Sequence, residues 1–118
     1  MKKIGEGLSC SSPEEVVGEL IYIKTLEDVI DLFDKAFGKI CIIDNDGTTA
    51  LSPILSELAG VVCTTGGMGS HLAIVSREFE IPCIMNLNLA VEDITSLNNK
   101  KAKIITEKDN KGILYLID

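Results

Sequence analysis

The chain has 118 residues, of which 46% are hydrophobic and 25% charged, and its formal net charge is −7. That length holds one domain with a real core but not two, so residues 1–118 are expected to form a single domain. The acidic balance argues against nucleic acid or an anionic membrane surface as a partner, and no segment approaches the roughly 20 apolar residues of a membrane span.

Aromatic residues are only 4% of the chain and tryptophan is absent, so a core must be built from Ile, Leu, Val and Ala. The N-terminus "MKKIGEGLSC" lacks the apolar run of a signal peptide, which sets the cytoplasm as the expected location. "GELIYI" (18–23) reads as a short β-rich run. "TLEDVIDLFDKAFG" (25–38) carries Leu26, Val29, Ile30, Phe33 and Phe37 at helical spacing. Its start is marked by Thr25 with Asp28 in a capping-box arrangement and its end by Gly38. "KICIID" (39–44) is a strand closed by the turn "NDG". "SPILSELAG" (52–60) is a short helix with Pro53 at its first position and Gly60 past its end. "VVCT" (61–64) is a strand running into a glycine loop, and "SHLAIVSREF" (70–79) is the helix beyond it. "PCIMNL" (82–87), "VEDITSLNN" (91–99), "AKIITE" (102–107) and "GILYLI" (112–117) continue as strand, helix, strand and strand, the last two joined by the hairpin turn "KDNK". The alternation describes an α/β domain with an antiparallel element at its C-terminal end.

Cysteines stand at 10, 41, 63 and 83, separated by 31, 22 and 20 residues. No CxxC pair or Cys/His cluster appears, so a structural zinc is not expected. Cys41 and Cys83 lie in strand-like runs and read as small buried hydrophobes. Cys63 precedes the glycine loop, where it is either the plain end of a strand or a neighbour of chemistry.

The only histidine, His71, sits directly behind "CTTGGMGS" at the head of an apolar helix. A phosphate-binding P-loop would need GxxxxGK[ST], and no lysine lies between residues 40 and 99. A dinucleotide fingerprint would need glycines at 67, 69 and 72, but 72 is Leu, and a nucleophile elbow around Ser70 fails at Met68 and Leu72. "DNDG" does not open a calcium loop, since the twelfth position from Asp44 is Leu55. What remains is a strand, a flexible glycine turn and a histidine in the first turn of a helix. The first N–H groups of a helix lack internal partners and carry the positive end of its dipole, so this end favours an anion. Gly66, Gly67 and Gly69 let backbone amides approach such an anion closely. The same positive end keeps an imidazole neutral, and a neutral imidazole is a nucleophile. The arrangement therefore suits a phosphoryl acceptor, and equally a histidine that merely caps the helix or faces the core.

"GGMGSHLAIVSREFEIPCIM" closely resembles the signature GG-x-T-[SC]-H-x-A-I-x-[AS]-R-E-x-x-[IL]-P of the phosphohistidine swivelling domain, the mobile domain of phosphoenolpyruvate-utilising enzymes. Pyruvate phosphate dikinase, phosphoenolpyruvate synthase and enzyme I of the sugar phosphotransferase system carry that domain. The resemblance extends to "GLSCSSPEEVVGELIYI" (7–23), with Glu14 where glycine is usual, to "IIDNDGTTALSPILSELAGVV", and to the closing "DNKGILYLI". It implies a β/β/α swivelling domain with a mixed sheet, in which His71 carries the phosphoryl group. It further implies that Ser70, with Thr48 or Thr49, hydrogen-bonds the imidazole or its phosphate. Arg77 falls on the signature's arginine; it either contributes to the phosphate site or forms an ion pair with Glu78 or Glu80. The signature's threonine two residues before the histidine is Gly69 here, which removes one hydroxyl from the cradle.

Family enzymes move the phosphoryl group between a nucleotide-grasp domain and a phosphoenolpyruvate-binding barrel, and neither fits in 118 residues. The expectation is a phosphocarrier without turnover of its own, in phosphoenolpyruvate- or ATP-linked transfer. It would work with separate nucleotide-binding and phosphoenolpyruvate- or pyruvate-binding proteins or domains, and would need no cofactor and no metal. The alternative is a non-catalytic binding or regulatory module that keeps the fold.

Overall fold

Seven strands close into a barrel in the computed structural model, which describes residues 2–10, 14–23, 26–43, 54–65, 71–89 and 94–117. The strands are β1 (Lys2–Ser9), β2 (Glu14–Ile23), β3 (Lys39–Ile43), β4 (Gly60–Cys63), β5 (Cys83–Leu89), β6 (Lys101–Thr106) and β7 (Lys111–Leu116). Their order around the barrel is β1-β5-β4-β3-β2-β6-β7. Two helices accompany them, α1 (Leu26–Ile30) and α2 (His71–Glu78), with 3₁₀ turns at Leu55–Glu57 and Ile94–Leu97.

The sheet is mixed. β2, β3, β4 and β5 run parallel to one another, while β1, β6 and β7 pair antiparallel with their neighbours. Period-2 alternation divides the parallel strands between two cores. Leu20, Ile40, Ile42, Val62, Ile84, Ile104 and Leu114 point into the barrel. Cys41, Ile43, Val61, Cys63, Cys83 and Met85 point outward from the parallel arc and are covered by α1, α2 and the 55–57 turn through Val29, Leu32, Leu55 and Ala73. β3 and β4 thus bury both faces and read as near-continuous apolar runs, as parallel strands do.

The mixed α/β sheet matches the expectation, but its closure does not. The resemblance implies a β/β/α swivelling domain with a mixed sheet, and the structure is a closed seven-stranded barrel. β1 makes the difference. "KKIGEGLS" carries two glycines and no clean alternation, so it gave no strand signal. Yet it pairs with β7 from Lys2↔Leu116 to Leu8↔Lys111 and with β5 from Gly5↔Leu89 to Ser9↔Ile84. Register shifts between Lys3 and Gly5 on one side, and between Glu6 and Leu8 on the other, bend it round the closure. Glycine there is a matter of room: a methyl group at position 112 would stand 2.6 Å from Ile84 Cγ1, and one at position 7 would stand 2.6 Å from the Met85 carbonyl.

The helices are shorter than the sequence pattern suggested. The 25–38 helix is α-helical only over Leu26–Ile30 and continues as turns. Leu32, Phe33 and Lys35 donate to the carbonyls of Val29, Ile30 and Leu32, three residues back, at 3.0–3.1 Å. This tighter winding rotates the buried face onto Val29, Leu32 and Ala36. Phe33 and Phe37, expected in the core, are therefore 53% and 85% exposed. Gly38 does stop the segment, at φ +79. Where helices are expected at 52–60 and 91–99, the described residues form 3₁₀ turns at Leu55–Glu57 and Ile94–Leu97, and Thr25, Pro53 and the "NDG" turn lie outside the described residues.

Candidate functional site

Three of the parallel strands, β2, β3 and β4, end level with one another. Ile23, Ile43 and Cys63 are register partners and each is the last residue of its strand. Ligand sites on parallel sheets sit beyond such carboxyl ends, on the loops that leave them. β3 is followed by residues 44–53, which contain Thr48 and Thr49, and β4 by residues 64–70, which contain the glycines and Ser70. The two segments thus leave from adjacent strands at the same height. Thr48, Thr49, Gly66, Gly67, Gly69 and Ser70 themselves lie outside the described residues.

The stem of the second loop is tied down on both sides. The Thr64 amide donates to the Ile43 carbonyl of β3 at 3.0 Å, and the Asn86 amide of β5 donates to the Thr65 carbonyl at 3.2 Å. The Cys63 thiol and the Thr65 hydroxyl are 3.7 Å apart. Asn86 reaches its position with φ +53, a backbone conformation that Asn tolerates better than most residues.

His71 is the first residue of α2, as the sequence required of a histidine at the positive end of a helix. Its side chain is not among those described. Ala73 and Ser76 bury α2 against the sheet, while Ile74 and Phe79 face outward. The helix ends in a Schellman pattern: Ile81 donates to the Ser76 carbonyl at 2.9 Å and Glu80 to that of Arg77 at 3.1 Å. Glu80 takes the left-handed position, φ +58, normally given to glycine, and the buried Ile81 and Pro82 follow it.

Arg77 is exposed in the last turn of α2. Six residues of helix place it about 9 Å along the axis from His71 and about 120° around it. At that end its guanidinium acts on Cys10, whose thiol is lowered first by the neighbouring Cys83 and then by this charge. All four cysteines are reduced and buried. Burial pushes the Cys41 thiol up to about 12, in keeping with an inert core residue. Among the described residues no three His, Cys, Asp or Glu side chains could hold a metal ion together, and no helix is long and apolar enough to cross a membrane. A surface cleft of about 360 Å³ between β2 and α1, lined by Glu19, Tyr22, Asp31 and Lys39 among others, includes none of the candidate residues.

The fold and this edge define a class: a mixed α/β barrel whose loops at the parallel strands' carboxyl ends lead into a helix that opens on histidine. Within that class, the chain belongs to the family described as "PEP-utilising enzyme, mobile domain", whose model matches residues 33–111. It is 27% identical over 93 residues to a probable phosphoenolpyruvate synthase of Methanothermobacter thermautotrophicus, covering 79% of this chain and 13% of that protein. It is 33% identical over 63 residues to the phosphoenolpyruvate synthase of Pyrococcus furiosus, covering 53% of this chain and 7% of that protein. The chain therefore spans about an eighth or less of the length of these relatives. Among solved structures, a muramoyltetrapeptide carboxypeptidase from Oxalobacter formigenes superposes with a TM-score of 0.59 at 13% identity, covering 100% of this chain and 51% of that one. An MccF-like protein from Bacillus anthracis gives 0.58 at 18% identity, covering 94% and 43%. At these identities the likeness is one of fold alone.

Proposed function

We propose that the chain is a phosphocarrier, the swivelling unit of a phosphoenolpyruvate- or ATP-linked transfer, with His71 accepting and donating the phosphoryl group. The observation that carries this reading is the position of His71 as the opening residue of α2, after a segment that leaves β4 level with the end of the neighbouring β3. Family membership supports it, and the relatives' name, phosphoenolpyruvate synthase, indicates the reaction class.

In this mechanism a neutral imidazole nitrogen attacks phosphorus, and the N–P bond forms as the P–O bond to the donor breaks. The reverse displacement passes the group to the acceptor. The positive end of α2 favours the neutral ring and the incoming anion together. Backbone amides of Gly66, Gly67 and Gly69 and the hydroxyls of Ser70 and Thr48 or Thr49 hold the phosphoryl oxygens. Arg77, nearly two turns further along α2, contributes only longer-range positive charge. Donor and acceptor are bound by separate nucleotide-binding and phosphoenolpyruvate- or pyruvate-binding proteins or domains.

The test is intact-mass measurement of the full chain after incubation with cell extract and either phosphoenolpyruvate or ATP. One added phosphoryl group, stable in base and released in acid, is the result expected of phosphohistidine. An acid-stable group would place the phosphate on a hydroxyl and overturn the assignment. Gly69, standing where the family signature has threonine, favours a second reading, a non-catalytic module that keeps the fold. An unlabelled chain would support that reading.

A further inference from the structure

Cys10 and Cys83 are 73 residues apart in sequence, yet they face each other across the seam between β1 and β5. Ser9 pairs with Ile84, and one step further the Cys10 amide donates to the Cys83 carbonyl at 2.9 Å. Directly opposed residues of an antiparallel ladder share one face of the sheet. At a hydrogen-bonded pair their Cα atoms lie about 5.5 Å apart, within the range spanned by disulfides. Both side chains belong to the outer core beneath α2, with Cys10 2% and Cys83 0% exposed.

We propose that Cys10 and Cys83 form a thiol–disulfide exchange site, oxidised to an intramolecular disulfide by low-molecular-weight disulfides and reopened by thiols. The surroundings divide the two roles. The Cys10 thiol reaches the Leu8 carbonyl at 3.9 Å, and Cys83 beside it and the charge of the Arg77 guanidinium lower the Cys10 thiol. Cys83 is pushed up by Cys10 beside it and by burial. Cys10 is thus the attacking sulfur and Cys83 the resolving one. The Cys10 thiolate attacks one sulfur of the small disulfide, whose S–S bond breaks and releases one thiolate. The sulfur of Cys83, losing its proton, then attacks Cys10 in the mixed disulfide and displaces the second. Two protein thiols lose two electrons, the small disulfide gains them, and the two protons leave on the released thiols. Because both sulfurs are buried, exchange proceeds through local opening at the end of β1, more slowly than at an exposed thiol. The bond would fasten β1 to β5 beneath the C-terminal half of α2, where Ser76 is buried against the sheet with no full hydrogen-bond partner for its hydroxyl.

The experiment treats the folded full chain with oxidised glutathione, then measures intact mass and maps non-reduced peptides. The expected product has lost two hydrogens, contains one Cys10–Cys83 linked peptide, and reverts with dithiothreitol. Cys63→Ala and Cys41→Ala should form the same link, and Cys10→Ala and Cys83→Ala should not. Because the map of the natural chain reads the pairing directly, a variant that fails to fold does not blunt the test. A Cys63–Cys83 link, a glutathione adduct that persists on Cys10, or a link that appears only once circular dichroism shows unfolding would each overturn the proposal.

Discussion

The parallel and antiparallel arcs of the barrel are built from the same kind of strand but are finished differently. β2, β3, β4 and β5 end in connections that leave from one edge, and the outward faces of β3, β4 and β5 lie under α1, α2 and the 55–57 turn. β6 and β7 are joined by the 107–110 hairpin turn, where the Glu107 amide donates to the Lys111 carbonyl at 2.8 Å, and β1 pairs antiparallel beside β7. Their outward faces carry ion pairs: Lys3 and Lys111 with Glu6, and Lys103 with Glu15 on the neighbouring β2. The difference follows from connectivity. Parallel neighbours need crossover segments, which supply both a cover and loops free to carry chemistry; antiparallel neighbours need only a turn. One arc presents groups, and the other closes the frame that holds them in place.

The strongest way to break that division is at His71. His71→Ala should abolish phosphoryl labelling by the partner system while costing no more than about 1 kcal/mol of stability, as expected for a residue at a helix start. Labelling by mass and unfolding by urea would read the two quantities separately. If stability collapsed together with labelling, the edge would be part of the frame.

Ile84 tests the opposite side of the comparison. It is fully buried on β5, where the arcs meet, and packs against the bare backbones of Gly7 and Gly112. Ile84→Ala should cost about 2–5 kcal/mol, seen as a shift in the urea midpoint. A loss below about 1 kcal/mol would mean that the two arcs are not joined through this contact.

Ser70→Ala probes the presenting edge more finely. One lost hydrogen bond to the transferred group, about 1.4–2.7 kcal/mol in the transition state, predicts labelling tenfold to a hundredfold slower with stability unchanged. Rapid-quench labelling would measure it, and an unaltered rate would remove Ser70 from the cradle.

Glu80→Gly should stabilise the chain by about 0.5–1 kcal/mol, because glycine takes the left-handed end of α2 without strain. It also removes a like charge from Glu14, whose carboxyl is raised by burial first and by Glu80 second. A raised carboxyl weakens folding as pH rises through its folded value, so the gain should be larger at neutral than at acid pH. Melting curves at the two pH values would show whether it is.

The smallest effect belongs to the antiparallel arc. Glu6 is held below the usual carboxylate range, chiefly by the hydrogen bond from the Lys3 ammonium, and Lys3 is raised by the same bond. For Glu6 the contribution is present above the ordinary carboxylate pKa and lost as pH falls through the lowered folded value. For Lys3 it is present below the ordinary lysine pKa and lost as pH rises through the raised one. Both groups are exposed, so Glu6→Gln should only slightly flatten the acid limb of a stability–pH profile.

Most strands were legible in the sequence, and the reason is visible in "KICIID" and "VVCT". Strands buried on both faces are short apolar runs bounded by glycine and polar turns. His71 at the head of a helix was legible too, because glycines followed by an amphipathic run mark a helix start by local chemistry alone. α1 was overread. Val29, Ile30, Phe33 and Phe37 fit a helical period and Val29 is buried as that period requires, but beyond it Leu32 and Ala36 turn inward while Ile30, Phe33 and Phe37 face out. Periodicity tells that a segment has two faces, and when the winding changes midway it does not tell which face is buried.

Residue order by itself determined the alternation of elements, the apolar faces of the core strands and the placement of the one imidazole behind glycines, since each depends on neighbours within a turn or two. Tertiary structure decided three other things: that β1 closes the sheet into a barrel, that the ends of β2, β3 and β4 stand level, and that Cys10 meets Cys83. All three are statements about which strands become neighbours and in what register. A period-2 pattern assigns each side chain to a face of the sheet but carries no information on the strand beside it, because that choice is made by packing between segments far apart in the chain.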